Sequence, residues 1–165
     1  MNAEAAELIS RMGMVPLPGE GGFFVPTWTS TRTGPDGRAA GSAILFLITP
    51  RDFSGLHRLQ TDEIWHFHAG DPAELALLDP ASGDCTIHTL GPDVTGGHAP
   101  QAVAPAGVWQ GARIAPSVDS PRRGWSLFGC TLAPAWEPRE FELGSRDVLL
   151  SEFPSHTSVI LGLTR

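Results

Sequence analysis

Short apolar stretches separated by turn residues make up most of the chain after Pro16. The breaks between them are rich in glycine, proline, aspartate and serine, which are the residues of tight turns. Many short strands at regular spacing predict an antiparallel sandwich or barrel rather than alternating strands and helices. The predicted strands cover residues 23–28, 42–49, 53–59, 63–69, 74–79, 85–90, 102–105, 108–115 and 124–133.

Helical patterns occur only near the two ends. After Asn2, a residue suited to an N-cap, apolar residues recur at helical spacing until Gly13, which predicts one short helix. A second short helix is predicted over residues 145–153, ended by Pro154. The apolar residues 158–163 are compatible with a further strand at an interface or with a flexible tail.

Composition and charge exclude several classes of protein. The 165 residues carry 11 basic and 18 acidic side chains, a net charge of −7, without a basic cluster for nucleic acid. The longest apolar run, residues 43–48, is far shorter than the roughly 18–20 residues that span a bilayer. No secretory signal is visible, and Cys85 and Cys130 form no CxxC motif. We therefore expect a cytoplasmic protein without a nucleic-acid or membrane partner.

Residues 53–72 contain the most informative chemistry. A strand, a polar turn and a second strand predict a hairpin that carries His57 and Glu63. Because side chains alternate along a strand, Glu63, Trp65 and Phe67 share one face. If that face and His57 both point inward, a histidine and a carboxylate meet in an apolar pocket.

The spacing of these residues resembles the cupin superfamily. Its first motif, G-x5-H-x-H-x3/4-E-x6-G, is matched in spacing by His57, Leu59, Glu63 and Gly70, and the centre of its second motif by 105–110, which ends at Gln110. Segments 20–24, 56–58, 61–72, 90–93, 105–112 and 129–134 are similar to the smaller Cupin_5 group. The resemblance implies an all-β fold, a double-stranded antiparallel β-helix or jelly-roll barrel with short terminal helices. It also implies a single domain over 1–165, with a core at about 16–135 and an extension over 136–165.

Two departures from the cupin pattern indicate a site without metal. Leu59 and Gln110 stand where metal-dependent cupins carry histidine ligands; leucine has no lone pair to donate, and a neutral amide is a poor ligand for these metals. His66 and His68 lie on the strand face opposite Glu63, which predicts an outward orientation. We therefore expect neither a metal nor another cofactor.

The resemblance leaves several functions open. A metal-free cup with His57 and Glu63 as catalytic residues suits an isomerase or epimerase acting beside a carbonyl, with Trp65, Phe67 and Gln110 binding a small, sugar-like metabolite. The histidine–tyrosine mechanism of similar nucleotide-sugar epimerases is excluded because the sequence has no tyrosine. Alternatives are a non-catalytic small-molecule binding protein, a metal-dependent enzyme with a degenerate site, and a purely structural His57–Glu63 pair.

The resemblance also implies a homodimer, since cupins commonly associate by strand exchange or sheet extension. The sequence itself indicates only that exposed edge strands need to be covered.

Overall fold

The computed structural model describes residues 1–116 and 122–165. Strands dominate it and confirm the predicted all-β fold. The strands are β1 (Val15–Pro16), β2 (Phe23–Thr29), β3 (Ser42–Ile48), β4 (Ser54–Arg58), β5 (Glu63–Gly70), β6 (Ala73–Leu78), β7 (Cys85–Leu90), β8 (Gln101–Ala104), β9 (Trp109–Ile114), β10 (Ser126–Leu132) and β11 (Glu142–Leu143).

The strands form two antiparallel sheets that pack face to face. One sheet has the order β1-β2-β3-β10-β5-β8 and the other β11-β4-β9-β6-β7. Their inner faces bury a shared apolar core, to which Phe46, Trp65 and Phe128 come from the first sheet and Leu75 and Ala112 from the second. Such burial is the main stabilising contribution in a fold of this kind.

The N-terminal helix α1 (Ala3–Met12) begins and ends where the sequence predicts. The Oδ1 atom of Asn2 accepts a hydrogen bond from the amide of Ala5 at 2.9 Å, and Gly13 adopts φ 66° as the C-cap. The apolar stripe of the helix packs on the outer face of the six-stranded sheet, against residues such as Leu47 and Leu127.

The C-terminal residues form two helices, α2 (Arg146–Glu152) and α3 (Thr157–Gly162). The helix predicted over 145–153 is confirmed, but the strand or flexible tail expected over 158–163 is wrong. Helical geometry lets Ile160 and Leu163 join Leu149 and Phe153 in an apolar cluster over the outer face of the five-stranded sheet, where Leu56 lies. No helix among the described residues has the length and apolar character needed to cross a bilayer.

Strands β4 and β5 belong to different sheets, so the hairpin predicted for residues 53–69 is wrong. β4 pairs with β9 and β11, whereas β5 pairs with β8 and β10. The connection between them is held inward: Leu59 is buried, and the buried hydroxyl of Thr61 donates to Oε2 of Glu140 at 2.6 Å. Crossing from one sheet to the other places His57 and Glu63 on facing walls of the barrel.

Candidate functional site

A cavity of about 420 Å³ lies inside the barrel, and most of its lining is apolar or aromatic. Its acidic and basic side chains, Glu20, His57 and Glu63, are buried, whereas Trp28 and Trp136 are 54% and 47% exposed. The cavity therefore has a polar inner end and an aromatic rim. The remaining lining residues are Leu17, Pro18, Phe24, Pro26, Thr29, Ser42, Ala43, Ile44, Phe46, Leu59, Trp65, Cys130, Leu132 and Phe141.

His57 is held on β4 by contacts on two sides. Its Nδ1 lies 2.8 Å from the carbonyl oxygen of Gly55, a contact that requires a proton on Nδ1. The ring stacks on Phe141, with centroids 5.3 Å apart and planes at 23°. With Nδ1 occupied, Nε2 is the ring nitrogen that remains for a ligand.

Each nitrogen of His57 faces a buried carboxylate. Oε2 of Glu63 lies 3.9 Å from Nε2, and Oε1 of Glu20 lies 3.8 Å from Nδ1. Both separations exceed a hydrogen bond, so they act through charge rather than through a shared proton. The hydroxyl of Ser54 donates to Oε1 of Glu20 at 2.7 Å and holds that carboxylate in place.

These charges determine the protonation state of His57. Burial disfavours the imidazolium, but the carboxylates of Glu20 and Glu63 outweigh it and raise the pKa of His57 from 6.5 to about 9. Burial also raises the pKa of the Glu20 carboxyl, against the opposing effect of His57. At neutral pH, His57 is therefore a proton donor flanked by two acidic side chains.

Gln110 lies behind Glu63 and does not line the cavity. Its Nε2 donates to Oε2 of Glu63 at 2.8 Å, and its Oε1 accepts from Nε1 of Trp65 at 2.7 Å. The amide thus fixes the Glu63 carboxylate and the Trp65 ring together. It supports two residues that do line the cavity, and its role in substrate binding stays a prediction.

Phe67 is likewise absent from the cavity lining. It packs edge-on against Phe128, with ring centroids 6.1 Å apart, in the core between the sheets. His66 and His68 point outward from β5, as the alternation of side chains predicts, and His66 contacts the hydroxyl of Thr131. Of the predicted site residues, the structure therefore brings together His57, Glu63 and Trp65.

Glu20 is the site residue that the sequence analysis did not predict. It lies in a glycine-rich turn before β2, where Gly21 and Gly22 adopt φ 99° and 72°. A Cβ atom at Gly21 would collide with the carbonyl oxygen of Phe53, and one at Gly22 with the ring of Phe46. The signal in the sequence was a glutamate next to two glycines. Without side chains, these glycines let the turn lie against the barrel.

The side chains at the inner end do not fit the metal site of cupin enzymes. The amide of Gln110 is committed to Trp65 and Glu63, Leu59 offers no donor atom, and Nδ1 of His57 is bound to a carbonyl. Over residues 1–116 and 122–165, no three histidine, cysteine, aspartate or glutamate side chains are grouped to hold an ion.

The chain is similar to one family model and to solved structures of nearly the same length. The model of the family Cupin_5, described as "Cupin superfamily (DUF985)", matches residues 6–144. A hypothetical protein from Leishmania major is 31% identical, with a TM-score of 0.87, over 97% of this chain and 98% of its own. A protein from Shewanella oneidensis is 32% identical, with a TM-score of 0.88, over 100% and 98% of the two chains.

More distant structures share the fold alone. A mutant of oxalate decarboxylase from Bacillus subtilis is 12% identical, with a TM-score of 0.56, over 92% of this chain and 38% of its own. No curated protein gives a significant match. The family model spans both motifs that carry the site, so this chain belongs to the cupin superfamily, in the family Cupin_5.

Proposed function

We propose that the chain binds a small carbonyl metabolite in its cavity and moves a proton at the neighbouring carbon, as a metal-independent isomerase or epimerase. The observation that carries this proposal is the position of His57 between two buried carboxylates at the inner end of an apolar cavity. A protonated imidazole beside a carboxylate in a mostly apolar pocket is suited to general acid–base catalysis.

The contacts of each group support distinct roles. Because Nδ1 of His57 is bound to Gly55, the proton on Nε2 is the one available to the carbonyl oxygen of a substrate. Glu63, oriented by Gln110, accepts the proton from the adjacent carbon. The product of this step is an enol; return of the oxygen proton to His57, and of a proton to carbon on either face, gives the isomer without an oxidant or reductant.

An alternative route through a lysine Schiff base is not available, because the sequence contains no lysine. Proton transfer must therefore act on the carbonyl itself, which the imidazolium of His57 polarises.

Exchange of carbon-bound hydrogen tests the proposed step directly. Small uncharged ketones and aldoses that raise the melting temperature are incubated with the protein in D2O, and deuterium at the carbon next to the carbonyl is followed by NMR. Glu63→Gln should abolish exchange while sparing most of the binding, and Glu74→Gln, which removes a carboxylate outside the cavity, should change neither. Unaltered exchange in Glu63→Gln would refute the assigned role.

A second candidate is a binding protein without turnover. It is favoured by the predominance of apolar and aromatic side chains in the lining, which suits retention of a ligand as well as catalysis. A compound that binds tightly to the wild type, yet shows no exchange and is recovered unchanged, would support this candidate over the isomerase.

We also propose that the protein acts as a cytoplasmic homodimer. The edge strands β1, β8, β7 and β11 leave backbone groups available for sheet extension. The unpaired cysteines Cys85 and Cys130 support a reducing compartment. Light scattering on the purified protein tests the dimer: a monomeric mass at micromolar concentration would contradict it.

A further inference from the structure

Acidic side chains outnumber basic ones in the cavity lining. Within the described residues these groups are Glu20, His57 and Glu63, so two acidic side chains face one histidine. No arginine of the described residues belongs to the lining. The nearby guanidinium of Arg165 lies outside the lining: it is paired with Asp52 at 2.7 Å and donates to the backbone carbonyl of Glu20, so only its longer-range charge acts on the Glu20 carboxyl.

An anion would therefore enter the cavity without a partner. A buried charge is tolerated only where an opposite charge or several hydrogen-bond donors compensate for the lost water. Among the described lining residues the only cation is His57, which already faces both Glu20 and Glu63. The rest of the wall offers aromatic faces, such as those of Trp28 and Trp136, which attract cations and apolar groups and do not stabilise anions.

We infer that the cavity selects against anions and takes ligands whose buried end is uncharged or positively charged. This inference rests on the proposed function, in that the cavity must admit a small molecule. It assigns the ligand to unphosphorylated carbonyl, hydroxyl or amine compounds with an apolar body, and it excludes carboxylates, sugar phosphates and nucleotide sugars. The selectivity resides in Glu20 and Glu63, which repel a negative group from two sides of His57.

The chain contains its own reporter for this selectivity. Cys130 on β10 lines the cavity, and the only other cysteine, Cys85, lies outside that lining. In a Cys85→Ala variant, three methanethiosulfonates of different charge compete for the remaining thiol: methyl, 2-aminoethyl and 2-sulfonatoethyl. Each forms a mixed disulfide with the thiolate and releases methanesulfinate.

Burial raises the pKa of the Cys130 thiol well above its usual value, which slows all three reactions, but the ratio of rates at one thiol is independent of its thiolate fraction. The reference is the same ratio measured on the variant unfolded in urea.

We expect the native protein to favour the aminoethyl over the sulfonatoethyl reagent by at least about tenfold more than the unfolded chain does. Glu20→Gln and Glu63→Gln should each reduce this preference, and Glu74→Gln should leave it unchanged. Because these substitutions do not alter the reagents, they separate charge from reagent size. The ratio measured on Cys85→Ala with both glutamates present tests the inference even where a cavity variant fails to fold.

The inference is overturned if the native and unfolded ratios agree, or if neither cavity variant changes the native ratio. The uncharged methyl reagent tests separately whether small molecules reach Cys130 at all. If it does not modify native Cys130, the cavity is closed to small molecules, and the proposed function fails together with the inference. If it reacts while the two charged reagents show no preference, only the charge selectivity is refuted.

Discussion

Oε1 of Glu20 lies 3.8 Å from Nδ1 of His57, although one residue belongs to a turn before β2 and the other to a strand of the opposite sheet. Glu63 occupies the side of Nε2, so the imidazole lies between two carboxylates that share no secondary-structure element. The charge of His57 therefore depends on the tertiary fold, which brings these two carboxylates to the imidazole.

His57 should titrate near pH 9 in the folded protein, because the carboxylates of Glu20 and Glu63 raise its pKa from 6.5 to about 9 despite burial. NMR detection of the imidazole carbon-bound protons measures this directly. Glu20→Gln should lower the pKa of His57, since it removes the larger of the two attractive charges. Titration of wild-type His57 near 6.5 would contradict the assignment.

The same shift predicts how stability changes at alkaline pH. A group whose pKa is higher in the folded than in the unfolded state stabilises the fold fully below the unfolded pKa, and this contribution is lost as the pH rises through the folded pKa. For His57 the loss falls between about pH 6.5 and about pH 9. Urea unfolding across this range should show a smaller loss in Glu20→Gln than in the wild type; parallel curves would refute the coupling.

Gln110 should matter for stability as much as for function, because its amide joins two buried groups. Replacement by leucine leaves Nε1 of Trp65 and Oε2 of Glu63 without their partner. An unsatisfied buried polar group costs about 1–3 kcal/mol, so Gln110→Leu should lower the free energy of unfolding by at least that amount. Gln101→Leu, at an exposed position on β8, is the matched control and should have little effect. Equal effects of the two substitutions would contradict this role.

Much of the fold could be predicted because its strands and turns leave local patterns. The N-terminal helix was recognisable from Asn2 and Gly13, whose capping roles act within a few residues. The prediction for residues 158–163 was wrong for the opposite reason. An apolar run of that length is compatible with a strand or a helix, and the helix is favoured only by packing against Leu56 and its neighbours.

The candidate site was predictable only in part. His57 and Glu63 could be identified from motif spacing, which matches the family. The pairing of β4 and β5 was predicted wrongly because a short polar connection has the same sequence character whether it closes a hairpin or crosses between sheets. Glu20 was not identified, since its approach to His57 depends on long-range packing of a turn that looks ordinary in sequence.

Arg38 and Glu140 form a buried ion pair that holds one wall of the cavity. Their side chains are 8% and 6% exposed, with Nη1 3.0 Å from Oε1, and Glu140 lies in the segment that carries Trp136 and Phe141 to the lining. Removing one partner leaves a buried charge, so Arg38→Met should cost about 3–5 kcal/mol of stability. Chemical denaturation measures this cost.

The double variant Arg38→Met with Glu140→Met should recover much of that loss, because both charges are then absent. The exposed pair of Arg58 and Glu142 is the control, and its disruption by Glu142→Gln, which leaves the stacking of Arg58 on Trp109 in place, should cost no more than about 1 kcal/mol. If Arg38→Met lowered stability no more than Glu142→Gln, the ion pair would not hold the segment that carries Trp136 and Phe141.

Metal content is the sharpest test of the acid–base mechanism. With Leu59 and the committed amide of Gln110 in place of two donor groups, His57 and Glu63 are too few to retain Mn, Fe, Ni or Zn through purification. Protein purified without chelator should therefore contain far less than one equivalent of metal by mass spectrometry, and His57→Ala should not change that content. Gln110→His combined with Leu59→His supplies the missing donors and should raise the bound metal. One equivalent of metal in the wild type that disappears in His57→Ala would refute the metal-free mechanism and favour a degenerate metal enzyme.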